Sequence, residues 1–268
     1  MSSDNNQPLL ACRSLYKYFG ALAAVNNLDI DVYPGDVLGI GGPNGAGKTT
    51  FLDVISGINP ATSGSVSLQG HDITNDSPDR ICHRGMARTY QLNAGFDSLT
   101  VRDNVLVGAA FGLGDHGIPK LRYSKEMLAR VDYALELVGL QDRSHLTARE
   151  VPVLDRKLLM LASAIATEPK LLLIDEPVGG LTPHEIDQVM EIVRGLMKEG
   201  ITIILIEHVM RFLLELSTRV LIMHHGENIY EGAPDQLLAD ERVVEVYLGE
   251  GTAKRLRHLM GQEGNGDG

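Results

Sequence analysis

The chain has 268 residues, 44% of them hydrophobic, which is ample for a buried core, and 24 Lys plus Arg stand against 35 Asp plus Glu for a net charge of −11. That balance, with no basic run long enough to track a phosphate backbone, argues against nucleic-acid binding. Cys12 and Cys82 lie far apart with no partner at metal-ligand spacing, the start MSSDNNQPLL has none of the character of an export signal, and apolar runs such as Ile201 to Ile206 fall well short of the roughly 18 residues of a membrane span, so a reducing cytosol fits.

In chain order, residues 9 to 40 read as short strands, with alternation at Val25, Leu28, Ile30 and Val32 and a turn at Tyr33-Pro34-Gly35-Asp36. Val37 to Ile40 is a short apolar strand that runs into the glycine-rich stretch Gly41 to Gly47, and Lys48 to Ser56 then reads as a helix up to Gly57. From Leu99 to Leu140 the pattern is helical, broken by the loop FGLGDHGIPK, and predicts a separate helical lobe. Lys157 to Thr167 predicts a helix, Leu171 to Ile174 a fully apolar strand, Pro183 to Glu199 a helix and Ile201 to Ile206 another apolar strand. Strands alternating with helices point to a parallel sheet covered on its faces. The tail from Gly249 to Gly268 is polar and glycine-rich.

Gly42-Pro43-Asn44-Gly45-Ala46-Gly47-Lys48-Thr49 fits G-x-x-x-x-G-K-[ST]. In such a loop backbone N–H groups cradle phosphates, the lysine neutralises the outer ones and the hydroxyl ligates Mg²⁺; a Cβ at the glycines would hold the backbone away. Leu171-Leu172-Leu173-Ile174-Asp175-Glu176 ends an apolar strand in two carboxylates, at the end where open α/β sheets bind ligands. Asp175 suits the Mg²⁺ shell, and Glu176 suits polarising a water that attacks the γ-phosphate. Two acids after a strand also serve as an ordinary helix N-terminus, and the phosphate loop upstream is what favours catalysis. Glu207-His208 follows Ile201 to Ile206 in the same topological place, and Gln91, within Ala87-Arg88-Thr89-Tyr90-Gln91, stands at the entry to the helical lobe.

The set and its order resemble the ABC ATPase family from about Leu9 to Leu248. The resemblance implies an α/β, P-loop NTPase (RecA-like) core with an antiparallel β subdomain and an inserted helical subdomain. It would make residues 1–268 one ABC domain, with 8–91 and 150–248 as the nucleotide-binding core, 92–149 as the helical subdomain and 249–268 as a tail. Gly42 to Thr50 becomes the Walker A segment, Gln91 the Q-loop glutamine, Asp175 the Walker B aspartate, Glu176 the catalytic glutamate and His208 the switch histidine. The cofactors implied are ATP and Mg²⁺, the ion shared by Thr49, Gln91 and Asp175. Phe19, before Gly20, falls where the family stacks an aromatic on adenine, although a phenylalanine at a strand end is also ordinary core. MARTYQ, LTVRDNVLVGA, GGLTP, LIEHVM and VYLGE are similar to the branched-chain amino acid uptake group. By that resemblance the chain works on the cytoplasmic face of the inner membrane with transmembrane permease subunits, a second ATP-binding subunit and, indirectly, a solute-binding protein.

One segment departs from the family. Where LSGGQ or LSYGQ stands, this chain has Val151-Pro152-Val153-Leu154-Asp155. Pro152 lacks both the serine hydroxyl and an N–H, Leu154 replaces a glycine, and Asp155 is expected to oppose a γ-phosphate. Gly180-Leu181-Thr182-Pro183 carries threonine where asparagine or aspartate is the family's choice. The expectation is a heterodimer in which the partner supplies an intact signature. The competing reading is a regulatory subunit that binds ATP and hydrolyses it weakly; an ABC ATPase of DNA repair is disfavoured by the acidic charge and the absence of a long coiled-coil insertion.

Overall fold

The computed structural model describes residues 7–90, 95–112 and 123–248, without the side chains of Leu238 and Leu248. Gln91, most of the glycine-rich loop before residue 123 and the tail 249–268 lie outside the described residues.

The chain opens with β1 (Leu10–Phe19) and β2 (Leu22–Val32), paired antiparallel from Leu10 opposite Val32 to Phe19 opposite Leu22. β3 (Val37–Gly41) leads through the phosphate loop into α1 (Lys48–Ile55). β4 (Ser63–Leu68) and β5 (His71–Asp72) complete a four-stranded antiparallel sheet in the order β2-β1-β4-β5. α2 (Pro78–His83) and β6 (Met86–Arg88) follow, then α3 (Val101–Phe111), α4 (Lys125–Leu137) and α5 (Val153–Ile165). β7 (Leu171–Asp175), α6 (Pro183–Lys198), β8 (Thr202–Ile206), α7 (Met210–Leu216), β9 (Arg219–His224), β10 (Glu227–Gly232) and α8 (Glu241–Leu248) finish the described chain. The second sheet runs β10-β9-β3-β8-β7-β6, parallel throughout except for the antiparallel edge strand β10.

Every residue of β3, β7 and β8 is buried, the reason these strands read as unbroken apolar runs. Successive side chains leave a strand on opposite faces, so each run serves two cores. Leu172, Ile174, Ile203 and Leu205 pack under the helices, together with Val105 of α3, Leu135 of α4 and Leu159 of α5. Leu171, Leu173, Ile204 and Ile206 pack on the other side with Phe51 of α1 and with Leu10, Leu15 and Leu28 of the antiparallel sheet. The parallel sheet is therefore the middle of three layers, and the helical lobe shares one apolar cluster with it.

Two helix starts are informative: that of α5 differs from the sequence reading, and that of α6 agrees with it and shows what Thr182 does. α5 begins at Val153, four residues before Lys157, because Pro152 in extended geometry (φ −59°, ψ 167°) serves as its N-cap. Thr182 caps α6 in a full capping box: its hydroxyl accepts from the Glu185 N–H, the Glu185 carboxylate accepts from the Thr182 N–H, and Pro183 occupies the first helical position. Threonine thus meets the local need that asparagine or aspartate would meet. Thr182→Ala is expected to lower stability by about 1 kcal/mol and Thr182→Asn to leave it within about 0.5 kcal/mol, read from urea unfolding at constant m-value.

Candidate active site

Strand register brings the chemistry into one row. Ile206, the last residue of β8, pairs with Ile40 on one side and with Asp175 on the other. The phosphate loop, the Asp175-Glu176 pair and the Glu207-His208 pair therefore leave three neighbouring strands at the same edge of the sheet.

Gly42 (φ 141°), Gly45 (φ 79°) and Gly47 (φ 102°) carry the left-handed conformations of the phosphate loop. Space binds two of them further: a Cβ on Gly42 would stand 2.2 Å from the Met223 carbonyl oxygen, and one on Gly47 would stand 2.1 Å from that of Ala24. Ala46 is buried and its carbonyl accepts from the Gly226 N–H at 2.9 Å, while Asn44, Gly45 and Thr49 face outward and Pro43 and Thr50 are half-buried. The loop is thus clamped from β2 and from the β9–β10 turn at its base. Lys48 is buried and donates to the Gly42 and Pro43 carbonyls at 2.7 and 3.0 Å. Desolvation pulls its pKa below the ordinary lysine value, against the attraction of Glu176 and Asp175, so this ammonium is short of water and gains from an incoming anion.

Asp175 is 2% exposed at its side chain. Burial pushes its carboxyl above the usual range, with the Arg88 guanidinium, 3.0 Å from Oδ2, working the other way. Its Oδ1 is buried without a hydrogen-bond partner among the described residues. A buried carboxylate oxygen left open in this way fits a hydrated divalent cation in its chemistry. Among the described residues no group of three or more His, Cys, Asp or Glu stands ready to hold a metal ion by itself, so the fit is to an ion that brings oxygens with it, as a nucleotide phosphate would.

Glu176 adopts φ 47°, a left-handed conformation costing a non-glycine residue about 1 kcal/mol or more. Its N–H donates to the Ile206 carbonyl at 3.0 Å, and its carbonyl accepts from Lys157 Nζ at 3.3 Å. Glu207 is fully buried. Its Oε1 accepts from the Val178 N–H at 3.0 Å, and its Oε2 accepts from the N–H groups of His208 at 2.9 Å and Val209 at 3.1 Å. This carboxylate ties the loop after β7 to the loop after β8 and leaves the His208 ring 55% exposed at the edge of the site. Phe19 is 48% exposed at the end of the hairpin whose second strand carries Ala24, the residue against Gly47, and Lys17 Nζ lies 4.9 Å from its ring centroid.

The altered signature segment differs from expectation in one respect. Asp155 does not face outward to oppose a phosphate: it is buried and paired with Arg143. Arg143 lies in the short turn before α5, so the pair draws the carboxylate into the lobe and away from the helix tip. The exposed tip is Pro152 and Val153, which offers no hydroxyl and lacks one N–H, and Leu154 is partly buried against the helical core.

These features agree with relatives along nearly the whole chain. The sequence profile of the family described as ABC transporter matches residues 25–179. The chain belongs to the ABC transporter family. It is 33% identical over 253 residues to the high-affinity branched-chain amino acid transport ATP-binding protein LivG of Escherichia coli (strain K12), covering 91% of this chain and 99% of that protein. It is equally identical over 252 residues to the probable LivG protein of Methanocaldococcus jannaschii, covering 90% of this chain and 98% of that one. Among solved structures, a nucleotide-free ATP-binding cassette from an ABC transporter superposes with a TM-score of 0.81 at 32% identity, and the ADP conformation of such a cassette with 0.82 at 32%; each covers 91% of this chain and 100% of the other. The chain is an ATP-binding cassette of a family that hydrolyses ATP to power transport.

Arg88, Asp53, Lys157 and Glu207 were not assigned roles from sequence. The available signals were charged side chains in strands or helix turns that are otherwise apolar: Arg88 ends Met86–Arg88, and Glu207 follows five buried residues. Glu207→Ala would leave three backbone N–H groups without this acceptor, that of Val178 buried, and is expected to cost about 2 kcal/mol in urea unfolding; Glu207→Gln should cost less, since its amide oxygen still accepts.

Proposed function

We propose that the chain binds Mg-ATP through Gly42 to Thr50 and Asp175, with Thr49 and Asp175 holding the cation and Gln91 joining them. In this reading Glu176 polarises the attacking water, His208 and Gln91 complete the catalytic set, and Phe19 stacks on the base. The observation that carries it is the common edge of β3, β8 and β7, where the desolvated Lys48 and the open Oδ1 of Asp175 converge. When bound, the cation supplies charge neutralisation for the phosphates. The protein's own share is to present N–H groups, to set Arg88 against Asp175 where it favours the carboxylate form, and to hold the Glu176 backbone through Ile206 and Lys157.

The reading extends to import of branched-chain amino acids or a related small polar solute, supported by the names of the LivG relatives. Among the described residues no helix is long and apolar enough to cross a membrane. In this reading the path belongs to permease subunits that the chain meets peripherally, at the cytoplasmic face of the inner membrane. The helical subdomain 92–149, inserted between 8–91 and 150–248, is the part assigned to that contact, and Phe96 to Asn104 is its surface. There Phe96 is 56% exposed on a loop held by the buried Asn104, which accepts from the Phe96 N–H at 2.7 Å and donates to its carbonyl at 3.1 Å. A solute-binding protein would act through those subunits.

The second ATP-binding subunit is assigned an intact signature, because Pro152 and Val153 give this chain's own α5 tip little with which to hold a phosphate. Lys48→Ala should abolish tight Mg-ATP binding, whereas Glu176→Gln should keep binding and remove turnover. Alone, at concentrations that permit dimerisation, the chain should bind Mg-ATP with little turnover, and Pro152→Ser with Leu154→Gly should raise turnover about tenfold or more. Robust turnover by the unaltered chain, abolished by Glu176→Gln, would contradict the asymmetric pairing. Equal loss of binding in Lys48→Ala and Glu176→Gln would contradict the assigned roles.

A further inference from the structure

Arg88 ends β6, the strand beside β7, with a side chain only 6% exposed. Its guanidinium forks. One arm donates to Asp175 Oδ2 at 3.0 Å, and the other to Asp53 Oδ1 at 2.7 Å and Ser56 Oγ at 3.1 Å. The Tyr90 ring centroid lies 5.2 Å from its central carbon. Asp53 stands four residues after Thr49 on α1, so both share a face of the helix that opens with Lys48. One planar cation thus bridges the helix of the phosphate loop and the strand end that carries Asp175. Asp175 Oδ1 stays buried and unpartnered.

We infer that Arg88 is a positioning residue for the divalent cation that accompanies the nucleotide. By occupying Oδ2 it fixes the carboxylate rotamer and leaves Oδ1 for the ion. By gripping Asp53 and Ser56 it sets the separation between α1 and β7, across which Thr49 and Asp175 share that ion. The inference rests on reading Asp175 as the cation's carboxylate. A guanidinium so close would also repel a cation, but two carboxylates answer one arginine here, so the cluster remains negative. Orientation of a metal-binding carboxylate by its hydrogen-bond partners is then the larger effect, of the kind whose loss costs about 10- to 100-fold in metal affinity. Lysine cannot replace it: a point charge on a flexible stem does not serve two acids with a rigid fork.

The test uses the full chain in the Glu176→Gln background, with ATP present, and reads Mn²⁺ affinity by electron paramagnetic resonance and ATP affinity in EDTA by calorimetry. Arg88→Met and Arg88→Lys should each weaken Mn²⁺ binding about 10- to 100-fold, while metal-free ATP affinity stays within about twofold. Asp53→Asn, which loosens the fork without touching Asp175, should shift Mn²⁺ in the same direction by about threefold or more, and it carries the test if the Arg88 variants do not fold. Unchanged or tighter Mn²⁺ binding in these variants, with Asp175→Asn weakened, would overturn the inference and leave the site reading intact. A parallel fall in metal-free ATP affinity would overturn it too, since the role would then be structural. Mn²⁺ binding unmoved by Asp175→Asn would sink the reading of the site itself.

Discussion

The site depends on the pairing of β8 between β3 and β7. Ile206 lies opposite Ile40 on one flank and Asp175 on the other, so a one-residue slip in either pairing would move the phosphate loop or the carboxylates out of line. It would also turn Leu171 and Leu173 toward the helices and Leu172 and Ile174 toward α1, exchanging the side chains of two packed cores. Fully buried strands with different neighbours on each face therefore specify the geometry of the site through packing. The register alone brings the phosphate loop and the two acidic strand ends to one edge.

Given that edge, the site is a set of charges short of water. Lys48 rests on loop carbonyls, Asp175 leans on Arg88, Lys157 reaches the Glu176 carbonyl with its pKa lowered by desolvation, and Glu207 is spent on three backbone N–H groups. Lys48, Lys157 and Glu207 are held by backbone atoms next to the strand ends, and Asp175 by the Arg88 side chain. In the proposed function a phosphate would exchange loop carbonyls for a better partner at Lys48, and a cation would supply a partner for the Asp175 oxygen that has none among the described residues. Such exchanges favour the nucleotide because the desolvation cost is already met in the folded chain. The left-handed backbone at Glu176 belongs to the same arrangement: hydrogen bonds to Ile206 and from Lys157 hold it there.

Much of this was legible in the sequence because glycine, proline and unbroken apolar runs have few structural meanings. The phosphate loop, β3, β7, β8 and α6 come from such patterns, and their bounds agree with the structure to within a residue or so. The short strand Met86–Arg88 and the two-residue His71–Asp72 carry too few residues for periodicity to register. Arg88 is invisible for another reason. Its meaning lies in joining Asp53, 35 positions upstream, to Asp175, 87 positions downstream, and a charge at the end of a short apolar run does not say which groups it joins. The sequence reading starts α5 at Lys157, four residues late, because proline and two β- or γ-branched residues ahead of it do not announce a helix, whereas Pro152 caps a helical turn that begins at Val153.

That turn explains how the chain tolerates its departure from LSGGQ. Glycine and serine at a helix tip serve an anion outside the subunit; they bury nothing within it. Here Leu154 packs against the helical core and Asp155 joins Arg143, so the altered residues make contacts within the lobe. Val151 is buried behind them, and Arg156 donates to the Arg149 and Val151 carbonyls, which closes the start of α5 from within. The altered residues are thus built into the fold, and the outward face of the tip is Pro152 and Val153. The nucleotide-facing edge on β3, β7 and β8 shows no matching loss: Lys48, Asp175, Glu176 and His208 all stand where the strands deliver them. In the asymmetric pairing proposed above, an intact edge joined to an altered tip would place the burden of completing this chain's site on the tip of a second subunit.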